Sequence, residues 1–270
     1  DNTDDEHSHA DFLNAYLKSK GAPTVNLDQF RILPSPHVTG ANQINRLTTL
    51  VDLTVDTSFY TRYRSTENPD FGDTFPQAVA ITNQPAIPIS DTDTPPGTDL
   101  TPPITTRNAR RMQAIADTAS FHFGFIEQGG SSLYTTMAQK VTSLEVLRIV
   151  VSIGGTEVNH FAIWHDKMGN AVSDPLAPLT DPVTGLTFPN LNASGGEATQ
   201  TNLIMPEPCD FLSEAFPDCS IIRPSTVQNS GAVAAVRALT ADGLFQHQSQ
   251  AFFDFINDLA ERADAARRQF

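Results

Sequence analysis

Two short stretches of this chain set a carboxylate and an imidazole three residues apart. D-E-H-S-H at residues 5–9 contains Glu6 and His9, and T-E-V-N-H at residues 156–160 contains Glu157 and His160. Three residues is just under one helical turn, so each pair projects from one face of a helix. Carboxylate and imidazole together are donors for a divalent metal ion, and two such helices face to face could be two halves of one site. With nine Glu and seven His in the chain, chance placement gives roughly 0.2 such pairs, so the spacing invites a metal reading without proving one.

The elements that must position these residues read as helices. Residues 4–20 carry acids at the start, lysines in the last turn and Gly21 as a stop. Apolar residues recur at helical intervals over 42–64, although Thr and Val weaken that segment. Long helices are expected over 107–139 and 143–168, the second opened by the capping-box pattern Thr142 to Glu145, and the short turn between them makes them antiparallel neighbours. A terminal helix is expected over 240–268, with a break at Gly243. Residues 68–105 and 169–230 are rich in Pro, Gly and Asn and read as long irregular loops.

The helical register says which of these residues are buried. Val146, Val150, Ile153, Glu157, His160 and Trp164 alternate four and three apart, the seam of a bundle helix. Ala116, Phe123, Glu127, Gly130, Tyr134 and Met137 trace a similar line on the preceding helix, and Glu6, His9, Leu13 and Tyr16 on the first. Counted from the turn near Val141 at about 1.5 Å per residue, Glu127 and Glu157 stand roughly 21 and 24 Å along their helices, so they can meet. Gly129, Gly130, Gly154 and Gly155 crowd that level, where close helix approach or a local bulge would account for them. Buried carboxylates need partners or a cation.

A lone Glu on one helix and Glu-x-x-His on its neighbours resembles the ferritin-like di-metal carboxylate superfamily. More closely, DEHSHADFL, FIEQGGSSLYTTMAQ and SIGGTEVNHFAIWH are similar to the second, third and fourth bundle helices of its desiccation- and stress-related group. The resemblance implies an all-α, ferritin-like helical bundle in one domain over 1–270, decorated by irregular Pro/Gly-rich loops. It implies Glu6, His9, Glu127, Glu157 and His160 as ligands to two metal ions, iron or iron with manganese, with Glu127 and Glu157 bridging and the two histidines as terminal donors. Oxygen or peroxide handling would follow. The family's first helix, which brings a further ligand Glu, is missing ahead of D-E-H-S-H. Either an upstream segment is absent, or another helix replaces it, with Asp52 and Asp56 as candidate substitutes that otherwise read as a solvated face. The groove this leaves would be covered by an upstream segment, by the C-terminal helix around Phe252 and Phe255, or by a helix of a second copy in a homo-oligomer.

Plainer readings stand beside these. Glu6 with His9 could be acids at a helix start, and Glu157 with His160 a hydrogen-bonded core pair. His122 and His165 fall off the seam as outer-layer or surface residues, His7, His37 and His247 as ordinary polar positions, and Tyr134 as packing. The net charge of -14 speaks against nucleic acid or an anionic membrane as partner, and no apolar run reads as a membrane span. Glycine-rich S-I-G-G-T-E lies inside a helix and cannot cradle phosphate, and no P-loop, nucleophile elbow or H-E-x-x-H is present. Cys209 and Cys219 in a proline-containing stretch read as a local disulfide, implying an extracellular or periplasmic setting. The alternative function is a secreted structural or stress-protective protein whose metal site is degraded or empty.

Overall fold

The computed structural model describes residues 2–31, 36–40, 50, 52–55, 79–93, 100–171, 176–190, 206–207, 212–217, 219–222 and 231–266. Those residues are mostly helical, with a few short strands, in keeping with an all-α class. The helices are α1 (Asn2–Ser19), α2 (Arg107–Ala138), α3 (Leu144–Ala171), α4 (Ala232–Ala241) and α5 (Gln250–Ala265). Three two-stranded antiparallel pairs join β1 (Leu53–Val55) to β2 (Ile81–Gln84), β3 (Leu179–Thr180) to β4 (Thr187–Phe188), and β5 (Pro206–Glu207) to β6 (Cys219–Ser220).

Local chemistry sets the helix ends. Thr106 caps α2 by accepting the Ala109 amide at 3.2 Å, and Ser249 caps α5 by accepting that of Phe252 at 3.2 Å. On α3 the cap is Ser143, which accepts the Val146 amide at 3.4 Å, one residue later than the T-S-L-E pattern suggests. Helix α4 starts at Gly231, which has no side chain to offer, and α5 supplies the missing acceptor: both Asp264 oxygens take amides of Ala232 and Val233, at 2.8 and 3.0 Å. A Cβ on Gly231 would lie 2.8 Å from that carboxylate, so glycine is what lets it approach.

Helices α2 and α3 pack side by side, and the principal apolar core gathers on the half of the pair away from their connecting turn. Leu53, Val55, Val79 and Ile81 from the β1–β2 region meet Ala114 and Phe121 of α2, Phe161 of α3, and Leu179 and Phe188 of the β3–β4 hairpin. Phe121 and Phe188 stack at 5.9 Å, and burying each such side chain contributes about 1.5–3 kcal/mol. Arg111 of α2, itself buried, ties these pieces together: its Nε donates to Asp93 at 2.9 Å and its Nη1 to Asp181. Asp181 also accepts the Val183 amide and the Thr184 hydroxyl, shaping the β3–β4 turn.

Several expectations change here. Of the helix expected over 42–64, Leu53–Val55 is a strand with Leu53 and Val55 buried and Thr54 exposed, and most of the segment lies outside the described residues. The excursions over 68–105 and 169–230 supply core residues as well as surface. The terminal helix is two helices, parted where Gly243 takes φ +77°, a conformation natural to glycine. Phe252 of α5 is buried among Phe30, Phe245 and Phe253, beside the turn that follows α1. Asp52 is half-buried, its carbonyl accepting the Gln246 side chain, and Asp56 lies outside the described residues. Cys219 is exposed with a free thiol, and Cys209 lies outside the described residues. Leu144–Lys167 is long and apolar enough, by length and composition alone, to cross a membrane, and it buries Glu157, His160 and His165.

Candidate metal centre

Helices α1, α2 and α3 bring all five expected residues to one place. Oxygens of Glu6, Glu127 and Glu157 and a ring nitrogen of His160 lie within 4.8 Å of one another. His9 stands beside them, its Nδ1 3.4 Å from Glu157 Oε1 and 3.5 Å from Glu6 Oε2. On the other side His160 Nδ1 lies 3.2 Å from Glu6 Oε1 and 3.5 Å from Glu127 Oε2. The two rings are 6.5 Å apart by centroid. Glu6 therefore divides its oxygens between the two histidines, Glu157 reaches the His9 side, and Glu127 stands at the His160 side alone. Glu6 takes the divided position, and Glu127 and Glu157, the pair expected to bridge, lie against each other.

The side chains around His160 determine which nitrogen faces the carboxylates. Trp164 Nε1–H can only donate, and it donates to Asn2 Oδ1 at 2.6 Å. Asn2 must then present its amide nitrogen, which sits 3.2 Å from His160 Nδ1 and 3.5 Å from Glu6 Oε1. Nδ1 accepts, so Nε2 carries the proton and donates it to Asp5 Oδ2 at 2.9 Å. That hydrogen bond holds the Asp5 carboxyl below its usual range. Among the described residues His9 has no such support, and its buried Nδ1 lacks a hydrogen-bond partner.

Burial pushes the Glu157 carboxyl up to about 8, and the charges of Glu6 and Glu127 and the hydrogen bond to Glu127 push the same way. Burial raises Glu127 too, opposed by hydrogen bonding from Asn2 and by His160. Three carboxylates at such spacing are costly without a cation among them. Gly130 leaves room for the arrangement, since a Cβ there would lie 2.8 Å from Glu157 Oε2. At Gly154, one turn before Glu157, a Cβ would meet Tyr134 Cβ at 2.8 Å, so the glycine sets helix approach.

A cleft of about 400 Å³ opens onto the three carboxylates, walled by Phe123, Ile126, Tyr134 and Trp164. Phe123 and Trp164 stack at 4.8 Å. Tyr134 lines the cleft, and burial first, then the Glu157 and Glu6 charges, raise its phenol to about 12.

No known family model, curated protein or solved structure matches this chain.

The donor set could hold a metal ion: carboxylate oxygens and imidazole nitrogens converge, and the orphaned His9 Nδ1 points among them. His122 and His165, expected in an outer layer or at the surface, are both buried. His165 stacks on Phe161, and His122 packs on Phe123 with burial depressing its pKa to about 4. His7 lines the cleft, His37 bridges to Ser90 and His247 is exposed. Asn2, Asp5 and Trp164 were missed as partners of the site. For Asp5 the signal was present, because it directly precedes Glu6 in D-E-H-S-H.

Proposed function

We propose that this chain is a ferritin-like di-metal carboxylate protein that holds iron, or manganese with iron, between α1, α2 and α3. One observation carries the reading: two Glu-x-x-His helices aim both imidazole Nδ1 atoms into one cluster of three carboxylates. Glu6 and Glu157 would bind between the two positions, with Glu127 and His160 at one and His9 at the other. When bound, such metals supply one-electron chemistry toward oxygen or peroxide. The protein orients the donors and walls the cleft above them with Phe123, Ile126, Tyr134 and Trp164.

The test is metal content. Protein prepared without chelator should carry near-stoichiometric iron or manganese by elemental analysis, and Glu157→Ala should lose it while keeping its helical circular dichroism. A second reading, a structural protein with a lapsed site, is favoured by α1 burying none of its residues fully. Metal below about a tenth of an ion per chain, even after loading, would decide for it.

A further inference from the structure

The two Glu-x-x-His motifs look alike in sequence but are not equally equipped. On α1 the residue before the glutamate is Asp5, and it reaches across to the histidine of α3. On α3 the residue before the glutamate is Thr156, which has no carboxylate to return the favour to His9. His160 is also the more enclosed ring, 3% exposed in its side chain against 15% for His9. Asp5 at Nε2 keeps its Nδ1 an acceptor, and the Trp164-oriented Asn2 amide that rests on Nδ1 must give way when an ion arrives. The donors differ in number as well. Glu6, Glu127, Glu157 and His160 all converge on the His160 position. Among the described residues, the His9 position has His9 plus the two carboxylates it shares with its neighbour.

We propose that the centre is a graded pair: the His160 position, preset by Asp5 and richer in converging carboxylates, takes the first divalent ion, and the His9 position fills later and more weakly. The proposal rests on the metal-centre reading above and adds an order of loading to it. Asp5 is in this scheme a positioning residue, acting through His160. A carboxylate behind a ligating imidazole fixes its tautomer and raises its basicity, and losing one typically lowers metal affinity 10- to 100-fold.

The experiment titrates Mn(II) into the metal-free 270-residue chain, followed by calorimetry and by electron paramagnetic resonance. One equivalent should bind with the six-line signal of an isolated ion, and a second should bind at least about tenfold more weakly. Asp5→Ala should weaken the first step 10- to 100-fold, and Asp5→Asn, which keeps an acceptor oxygen, should recover part of that loss. His160→Ala should remove the tight step and His9→Ala the weak one, with circular dichroism confirming that each variant keeps its helices. Two ions entering in one step with a spin-coupled signal would overturn the grading and leave the metal centre standing. So would an Asp5→Ala variant with unchanged affinity. Binding of no ion at all would overturn the metal centre itself.

Discussion

Replacing Glu157 with Gln should move the stability of the protein in opposite directions with and without metal. The Glu157 carboxyl titrates near 4.5 in the unfolded chain and is raised to about 8 in the fold. A raised carboxyl favours the neutral form, so its contribution is fully present below pH 4.5 and is lost as pH rises through 8. At pH 7 a group shifted between those two values costs the folded, metal-free protein about 3 kcal/mol. Because Glu127 lies against Glu157 and shares its protons, that figure belongs to the pair. The glutamine side chain of the variant is neutral throughout and removes the penalty. In chelated buffer, urea denaturation followed by circular dichroism should show the variant gaining on the wild type from pH 4.5 upward, by about 3 kcal/mol at pH 7. With Mn(II) at a hundred times its dissociation constant the wild type should recover about 2.7 kcal/mol and the variant almost nothing. Parallel pH profiles would show that the folded carboxylate is not strained as described, and equal stabilisation of both proteins by metal would show that Glu157 is no ligand.

The two glycines facing the site should separate in their effects. Gly130→Ala should hold or raise thermal stability, since Ala is favoured in a helix by about 1 kcal/mol, while it displaces the mobile end of Glu157 and weakens Mn(II) binding in the same titration by about tenfold. Gly154→Ala presses on Tyr134 Cβ, which cannot swing aside, and should cost about 1–3 kcal/mol in urea denaturation. Arg111→Met would leave Asp93 and Asp181 buried without their cation and should cost about 3–5 kcal/mol by the same measurement. Asp117 is buried with one oxygen unpartnered, and burial raises its carboxyl to about 8. Asp117→Asn should therefore leave the melting temperature unchanged near pH 4 and raise it near pH 8 in differential scanning calorimetry.

The helices that carry the site were legible because they are long and close in sequence. A seam drawn every three and four residues placed Glu157 and His160 among buried apolar positions, and a height count from Val141 put Glu127 opposite them. The line drawn on α2 was less accurate: Ala116 is exposed, and the buried stripe includes Thr118, Gln128, Ser131, Ser132 and Thr136. Thr118, Ser131 and Thr136 hide their polarity by donating to the carbonyl four residues back, a contact that hydropathy patterns do not register. Leu53–Val55 was misread because its partner, Ile81–Gln84, lies in a stretch whose prolines pointed to loop, and pairing at that distance leaves no local period. Asp5 was visible and unread, since an acid at a helix start already has an ordinary explanation.

The placement of the core has a consequence for how the molecule comes to exist. Glu127, Glu157 and His160 belong to one helical hairpin, α2–α3, whose contacts are short-range and quick to form. The apolar cluster over that hairpin draws on residues from Leu53 to Phe188, so it cannot close until synthesis has passed β4. Glu6 and His9, made before them, wait on α1 for partners some 150 residues downstream. With no fully buried residue of its own, α1 gains much of its hold from that polar meeting. Binding of a metal ion would then be the last stage of folding, and in a metal-poor cell the first helix would be the part most open to proteases.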